Sequence, residues 1–454
     1  MLSSLGGWLR DRQLLIATVS SVGLAACSGS SDGDGGPAEL ELPGVPQNIV
    51  VSEEDARLIF SFDEPATGGP AYRYTVTCEP QDEELDTVSR YSGVSPVTLS
   101  GMTNEMEYSC TLVASNTSGE GPETVLLATP TSGFYDTDCS SQTTTGDRLT
   151  CLGSNFLSGL TTTQRSNTLL ELSETNAVQV WSDLRAGAYA RVGMSFAAMT
   201  EDQADDALLL IQEALSEAGS DTLIGIFAAD DFLSETLNGY GSDLYYFSFL
   251  GTPSTSEPWI LAFTGHHYSA LISVDGDYVS MTPHFVASEP LTFTLEDVDF
   301  APMESRHTAL TDMLASLTAD QLNTANLGET FDDILGGPRD DYPYPDPKEG
   351  VSVGDLSAAQ RELVADAIAA FSNDQTDMEL TAVYTTEEAL DETYIAWSID
   401  EELTEEGGYV RIDGPQVWIE LAVVDGEATS DAHYHTIWRD RALDYGGNFD
   451  LSDE

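Results

Sequence analysis

Thr200-Glu201-Asp202-Gln203-Ala204-Asp205-Asp206-Ala207-Leu208-Leu209-Leu210-Ile211-Gln212-Glu213-Ala214 decides how most of this chain reads. A hydroxyl residue followed three positions later by Gln is a capping box. The hydroxyl accepts an amide of the first turn while the Gln side chain returns to the cap's own amide. Apolar residues then recur three and four apart, so an amphipathic helix is expected over Ala204 to Ala218. The same signature stands at Thr161/Gln164, Thr318/Gln321 and Ser357/Gln360, the last leading into a helix over Arg361 to Phe371.

Working outward, the order of elements repeats. Helical patterns cover Leu169 to Trp181 and Leu314 to Leu327, and Gly193 and Gly350 precede the second helices. Leu244 to Leu250 and Tyr394 to Ile399 begin sets of strands. A Trp-bearing strand follows in each half, Pro258 to Phe263 and Val417 to Ala422. Histidines come next: Gly265-His266-His267-Tyr268 in one half, His433-Tyr434-His435 in the other. The expectation is an α+β domain of two related halves, 161–305 and 306–448, each laying helices on an antiparallel sheet, with a cleft along a pseudo-two-fold axis.

Ahead of this region the chain changes character. From Pro46 to about Pro130, period-two runs such as Tyr72-Arg73-Tyr74-Thr75-Val76-Thr77-Cys78 alternate with Gly, Pro and Asn turns, which predicts an all-β sandwich over 44–131. The segment Leu99 to Thr124 resembles the last strands of fibronectin type III domains, with Tyr108 at the position of their tyrosine corner. Tyr108, Cys110, Leu112 and Ala114 share a face, as do Tyr74, Val76 and Cys78 on an earlier strand, so Cys78 and Cys110 are expected to bond across neighbours. Such modules are spacers or adhesive units, open to a protein partner.

Arg10 and Arg12 precede the apolar run Leu14 to Ala26, too short for a permanent span but suited to a signal-peptide core over 1–26. The run ends in Leu24-Ala25-Ala26-Cys27, which resembles the bacterial lipobox and implies a lipid on Cys27 and a membrane anchor. Ser28, where an aspartate would retain the protein, implies the outer membrane or cell surface. Residues 27–43 read as a polar tether. With Cys27 assigned to lipid, Cys78, Cys110, Cys139 and Cys151 form an even set, and proximity favours Cys139 with Cys151 in a looped connector over 132–160.

The charge limits the function classes. Asp and Glu number 78 against 16 Lys and Arg, and the net charge is -62. Lys348 is the one lysine, and the acids are scattered. Such a field repels phosphate backbones, which excludes nucleic acid as a partner, and concentrates cations.

All six histidines fall in the large region. On a strand His433 and His435 face one way, so both can hold one ion. His266 and His267 face opposite ways on a strand, leaving one of them as a ligand. Glu420, in an apolar strand, needs a cation, a donor or a proton to offset desolvation. These residues suggest a site for Zn, Cu(II) or Fe, with His266, His267, His433 and His435 as candidate ligands and Glu420 as a ligand or base. Core histidines bonded to backbone or carboxylate fit the same spacing, as does metal-free acid–base chemistry with Glu420 or Asp440. Arg439 reads as a clamp for a substrate carboxylate or phosphate, or as a structural partner of Asp440 or Asp444.

Gly265-His266-His267, Thr282-Pro283-His284-Phe285, the strand up to Glu420, His433-Tyr434-His435-Thr436-Ile437-Trp438-Arg439-Asp440 and Asp444-Tyr445-Gly446 together resemble the domain-of-unknown-function 3500 family over about residues 155 to 450. The resemblance brings no activity with it. Three functions compete: a metal-dependent envelope enzyme, a lipoprotein that captures a metal or small ligand without turnover, and a surface scaffold with structural histidines.

Overall fold

A computed structural model describes residues 41–449 except 55–56, 82–84, 86, 104–105, 131–138, 140, 296–297, 340, 342–343, 377–378 and 430. The leader, Cys27 and most of the tether lie outside the described residues.

The first unit is the expected sandwich. Gln47–Glu54, Arg57–Asp63 and Val97–Ser100 make one sheet. Val88–Ser92, Arg73–Pro80, Tyr108–Asn116, Gly119–Glu120 and Thr124–Ala128 make the other. Alternation sends Leu58, Phe60, Tyr74, Val76, Leu99, Tyr108 and Leu112 into one core. Cys78 and Cys110 sit opposite each other on paired strands and are bonded. The Tyr108 hydroxyl accepts the Thr103 amide at 2.9 Å, closing the tyrosine corner. Cys139 and Cys151 are also disulfide-bonded.

The second unit begins at Gln142, so the helix Thr145–Ser158 belongs to it and not to a connector. Its Phe156 packs on Phe247 and Phe249, which is why it docks. All four capping boxes form, on Glu201–Ala214, Ala358–Ser372, Thr162–Thr168 and Ala319–Ala325. Three helical expectations shift. The helix from Glu201 stops at Ala214, because Leu215 is extended and Ser216 caps a new helix, Glu217–Ser234. Leu169–Leu170 is a short strand parallel to Phe249–Leu250, leaving only Glu174–Gln179 helical in that stretch. Leu314 lies in the last turn of the helix Glu304–Ala315, and Thr318 caps the next.

The repeat is visible in hydrogen bonds. The cap glutamines join as Gln164 to Gln203 and Gln321 to Gln360, 39 residues apart in both halves. The second of each pair also donates to a carbonyl 44 residues back, Gly159 or Ser316. Gly193 and Gly350 both have left-handed φ, and a Cβ on either would stand 2.1 Å from a strand carbonyl.

The sheet corrects two expectations. Its strands run Met194–Ser195, Tyr246–Leu250, Trp259–Thr264, Tyr268–Asp275 and His284–Ser288, then His433–Asp440, Val417–Val424, Tyr409–Asp413, Tyr394–Ser398 and Val351–Ser352. The halves therefore join edge to edge, with His284–Ser288 antiparallel to His433–Asp440, in one twelve-stranded sheet. Among the described residues the two halves are thus joined by a continuous ladder. Counting inward from each outer edge, the counterpart of Trp259–Thr264 is Tyr409–Asp413, so the two Trp strands and the two histidine pairs are not matched copies. Only the short pairing at Leu169–Leu170 is parallel among the described ladders of this sheet.

Period two gives the sheet two faces. Helices cover the face carrying Phe247, Phe249, Phe263 and His284, where Phe227 meets Phe263 and Arg306 lies beside Asp374 and His284. Irregular segments cover the other face. Trp181, Phe331, Ile334 and Tyr445 pack there on Ala262, Leu271, Phe285, Ala287, Ala422 and Ile437.

Candidate metal centre

Three imidazoles meet on the face covered by irregular segments. His433 and His435 project from one face of the strand His433–Asp440, and their Nε2 atoms lie 3.1 Å apart. His435 is flanked across both ladders by alanines, Ala287 and Ala422, which leave room for its ring. His267 arrives from the turn between Trp259–Thr264 and Tyr268–Asp275. Its carbonyl accepts the Ala287 amide at 2.9 Å, and Ala287 pairs with His435, so the ladder itself brings the two histidines together. One ligand atom from each of His267, His433 and His435 lies within 4.8 Å of the others.

His266 and His267 are in a turn, so alternation does not apply. Their rings stack at 3.6 Å, and the Nδ1 of His266 bonds Asp230 Oδ1 at 2.8 Å. His266 therefore supports His267 and is outside the converging trio.

Carboxylates stand behind the trio. Asp333 Oδ1 lies 2.9 Å from His435 Nδ1, and Asp183, Asp333 and His435 offer atoms within 4.8 Å of one another. A carboxylate on the far nitrogen fixes the tautomer and orients the ring toward an ion. Arg191 Nη2 donates to the carbonyls of Ser182, Leu184 and Gly265, tying the Asp183 segment to the histidine turn. Asp333 also borders a cavity of about 490 Å³ lined in part by Glu329, Phe331, Glu349 and Arg411.

The electrostatics favour neutral rings at His267 and His433. Burial pushes His267 well below the ordinary histidine range, and the neighbouring imidazoles push it further. Burial and then His435 lower His433 to about 3, against a smaller upward pull from Asp333. Neutral imidazoles keep a lone pair for a cation. The other nitrogen of His433, Nδ1, is buried with no hydrogen-bond partner.

The remaining candidates are held elsewhere. Glu420 is fully buried and does not join the trio. It accepts the Leu335 and Gly336 amides, the Tyr409 hydroxyl and the Trp418 indole at 2.5–2.8 Å. Those donors meet the demand that its burial creates, so it needs no ion of its own. Arg439 shares a face with His435 but is spent on Asp444 at 2.7 Å and Asp341 at 2.6 Å. Asp440 points to the other face and takes bonds from Tyr384, Gln416 and the Ala442 and Leu443 amides. Burial raises it to about 6. Neither Arg439 nor Asp440 reaches the imidazoles. Asp183, Asp230, Asp333 and Arg191 escaped sequence reasoning: with 78 acidic residues, no single carboxylate stands out.

A profile described as "Protein of unknown function (DUF3500)" matches residues 142–447. The chain belongs to that family. The fibronectin type III profile matches residues 44–129. Solved structures similar to the chain include the FN5 domain of Drosophila Lar (14% identity, 20% of this chain and 99% of that one, TM-score 0.18). The fn3 domain of human collagen alpha-1(XX) is 19% identical, over 22% of this chain and 94% of that one, at TM-score 0.18. A human FNIII domain is 18% identical, over 24% and 95%, at TM-score 0.19. No curated protein matches the chain.

Proposed function

We propose that this DUF3500 chain binds one transition metal ion through His267, His433 and His435, as a metal-dependent protein of the bacterial cell envelope. The supporting observation is the convergence of three buried imidazoles, drawn from two separate parts of the chain, within 4.8 Å. Two nitrogens each about 2.0–2.1 Å from a tetrahedral ion stand roughly 3.3 Å apart, close to the 3.1 Å between His433 and His435. A nitrogen-rich site backed by carboxylates suits Zn, Cu(II) or Fe. Three protein ligands leave a position for water or substrate, the composition of catalytic rather than structural sites.

The test is elemental analysis of protein produced with Zn, Cu and Fe supplied. One equivalent of metal is expected in the wild type and a large loss in the His433→Ala/His435→Ala variant. A metal-free wild type, or unchanged content in the variant, refutes the reading. The export signal and lipobox support an anchor through lipid on Cys27, with the sandwich as spacer or adhesive unit. Cys27→Ser is expected to release the chain into the soluble fraction, and continued membrane association would count against the anchor.

A further inference from the structure

Glu420 sits in an apolar strand, flanked by Ile419 and Leu421, with no exposed surface. What it holds explains its placement. Its two oxygens take the amides of Leu335 and Gly336, one each, both at 2.8 Å. These residues lie in a segment without regular secondary structure, and the part of it from Phe331 to Gly336 crosses the histidine-bearing face. The segment's other end is held as well, since Phe331 stacks on Tyr409 at 3.9 Å and the Tyr409 hydroxyl donates to the oxygen that receives Leu335. Between the two anchors lies Asp333, whose Oδ1 takes the Ile334 amide at 2.7 Å and meets His435 Nδ1 at 2.9 Å. A continuous chain of bonds therefore runs from Glu420 through 335–336 and Asp333 to His435.

Resting on the metal reading above, we infer that Glu420 is a positioning residue for the centre: it fixes Asp333, and through Asp333 the tautomer and direction of His435, without touching the ion. Buried amides released from their acceptor must find another, which moves the segment. A carboxylate behind a ligating histidine is worth about 10–100-fold in metal affinity, which bounds the effect.

The experiment is a double-mutant cycle in the full chain, reading zinc affinity by competition with a chromogenic chelator and fold by far-UV circular dichroism. Glu420→Gln is expected to weaken zinc about 10-fold in the wild-type background. It should have little further effect in Asp333→Ala, because the route from Glu420 to the centre is then already cut. Equal losses in both backgrounds, or none in either, overturn the inference while leaving the metal reading standing. A wild type with no affinity for zinc, copper or iron overturns both. Should Glu420→Gln not fold, Tyr409→Phe removes one donor to the same carboxylate and should show a smaller loss that also vanishes in Asp333→Ala. A loss that persists there overturns the inference.

Discussion

Arg439 offers the sharpest division between a binding residue and a framework residue. Its guanidinium is fully buried, with Nε on Asp444 at 2.7 Å and Nη2 on Asp341 at 2.6 Å. Those carboxylates hold its pKa well above the ordinary value despite burial, so the charged form is favoured in the folded state. Arg439→Met keeps much of the volume and removes both charge-assisted bonds. At about 1.5–3 kcal/mol for each, and with Asp444 left buried beside no cation, the expected cost is about 3–5 kcal/mol. Arg439→Lys keeps the charge, but one ammonium does not reproduce two bonds made from different nitrogens. About half the loss is expected to remain. Urea unfolding followed by tryptophan fluorescence reads this domain, because every tryptophan except Trp8 lies in it. A cost below about 1 kcal/mol for Arg439→Met would refute the framework role and restore the substrate-clamp reading.

Two further outcomes follow from groups away from the trio. His284 is buried and held well below the histidine range by desolvation and by Arg306. Its contribution is therefore complete above the unfolded pKa near 6.5 and is lost as pH falls below it, at about 1.4 kcal/mol per pH unit. Urea titrations at pH 4.5–7 should give a slope shallower by that amount in His284→Asn, and identical slopes would contradict the assignment of a neutral ring. In the sandwich, Tyr108→Phe strands the Thr103 amide at a cost of about 1–3 kcal/mol. Faster deuterium uptake by peptides from 44–129 is the expected readout, and uptake matching wild type would exclude the corner as a stabilising device.

How legible was this architecture in the sequence? The four capping boxes were, because each is settled within four residues of backbone. The facing of Cys78 and Cys110 was, because alternation fixes it. Strand order was not. Trp259 and Trp418 look like counterparts because each is followed by histidines, yet the order depends on which edges pair across some 150 residues of chain. Leu169 and Leu170 carry a helical pattern that pairing with Phe249 and Leu250 overrides. Glu420 was recognisable as a carboxylate in need of partners, but two of its donors are backbone amides of Leu335 and Gly336, which side-chain chemistry does not announce. Asp333 shares that segment and stayed hidden for the same reason.

The seam between the strands His284–Ser288 and His433–Asp440 constrains how this chain can be divided. Severing it would bare a row of peptide groups on each fragment, flanked by apolar side chains. A fragment ending near residue 300 could recover those bonds only by borrowing an edge from another molecule. Two such fragments laid antiparallel would rebuild a seam of the same kind, so a self-paired dimer is the form expected of an isolated half.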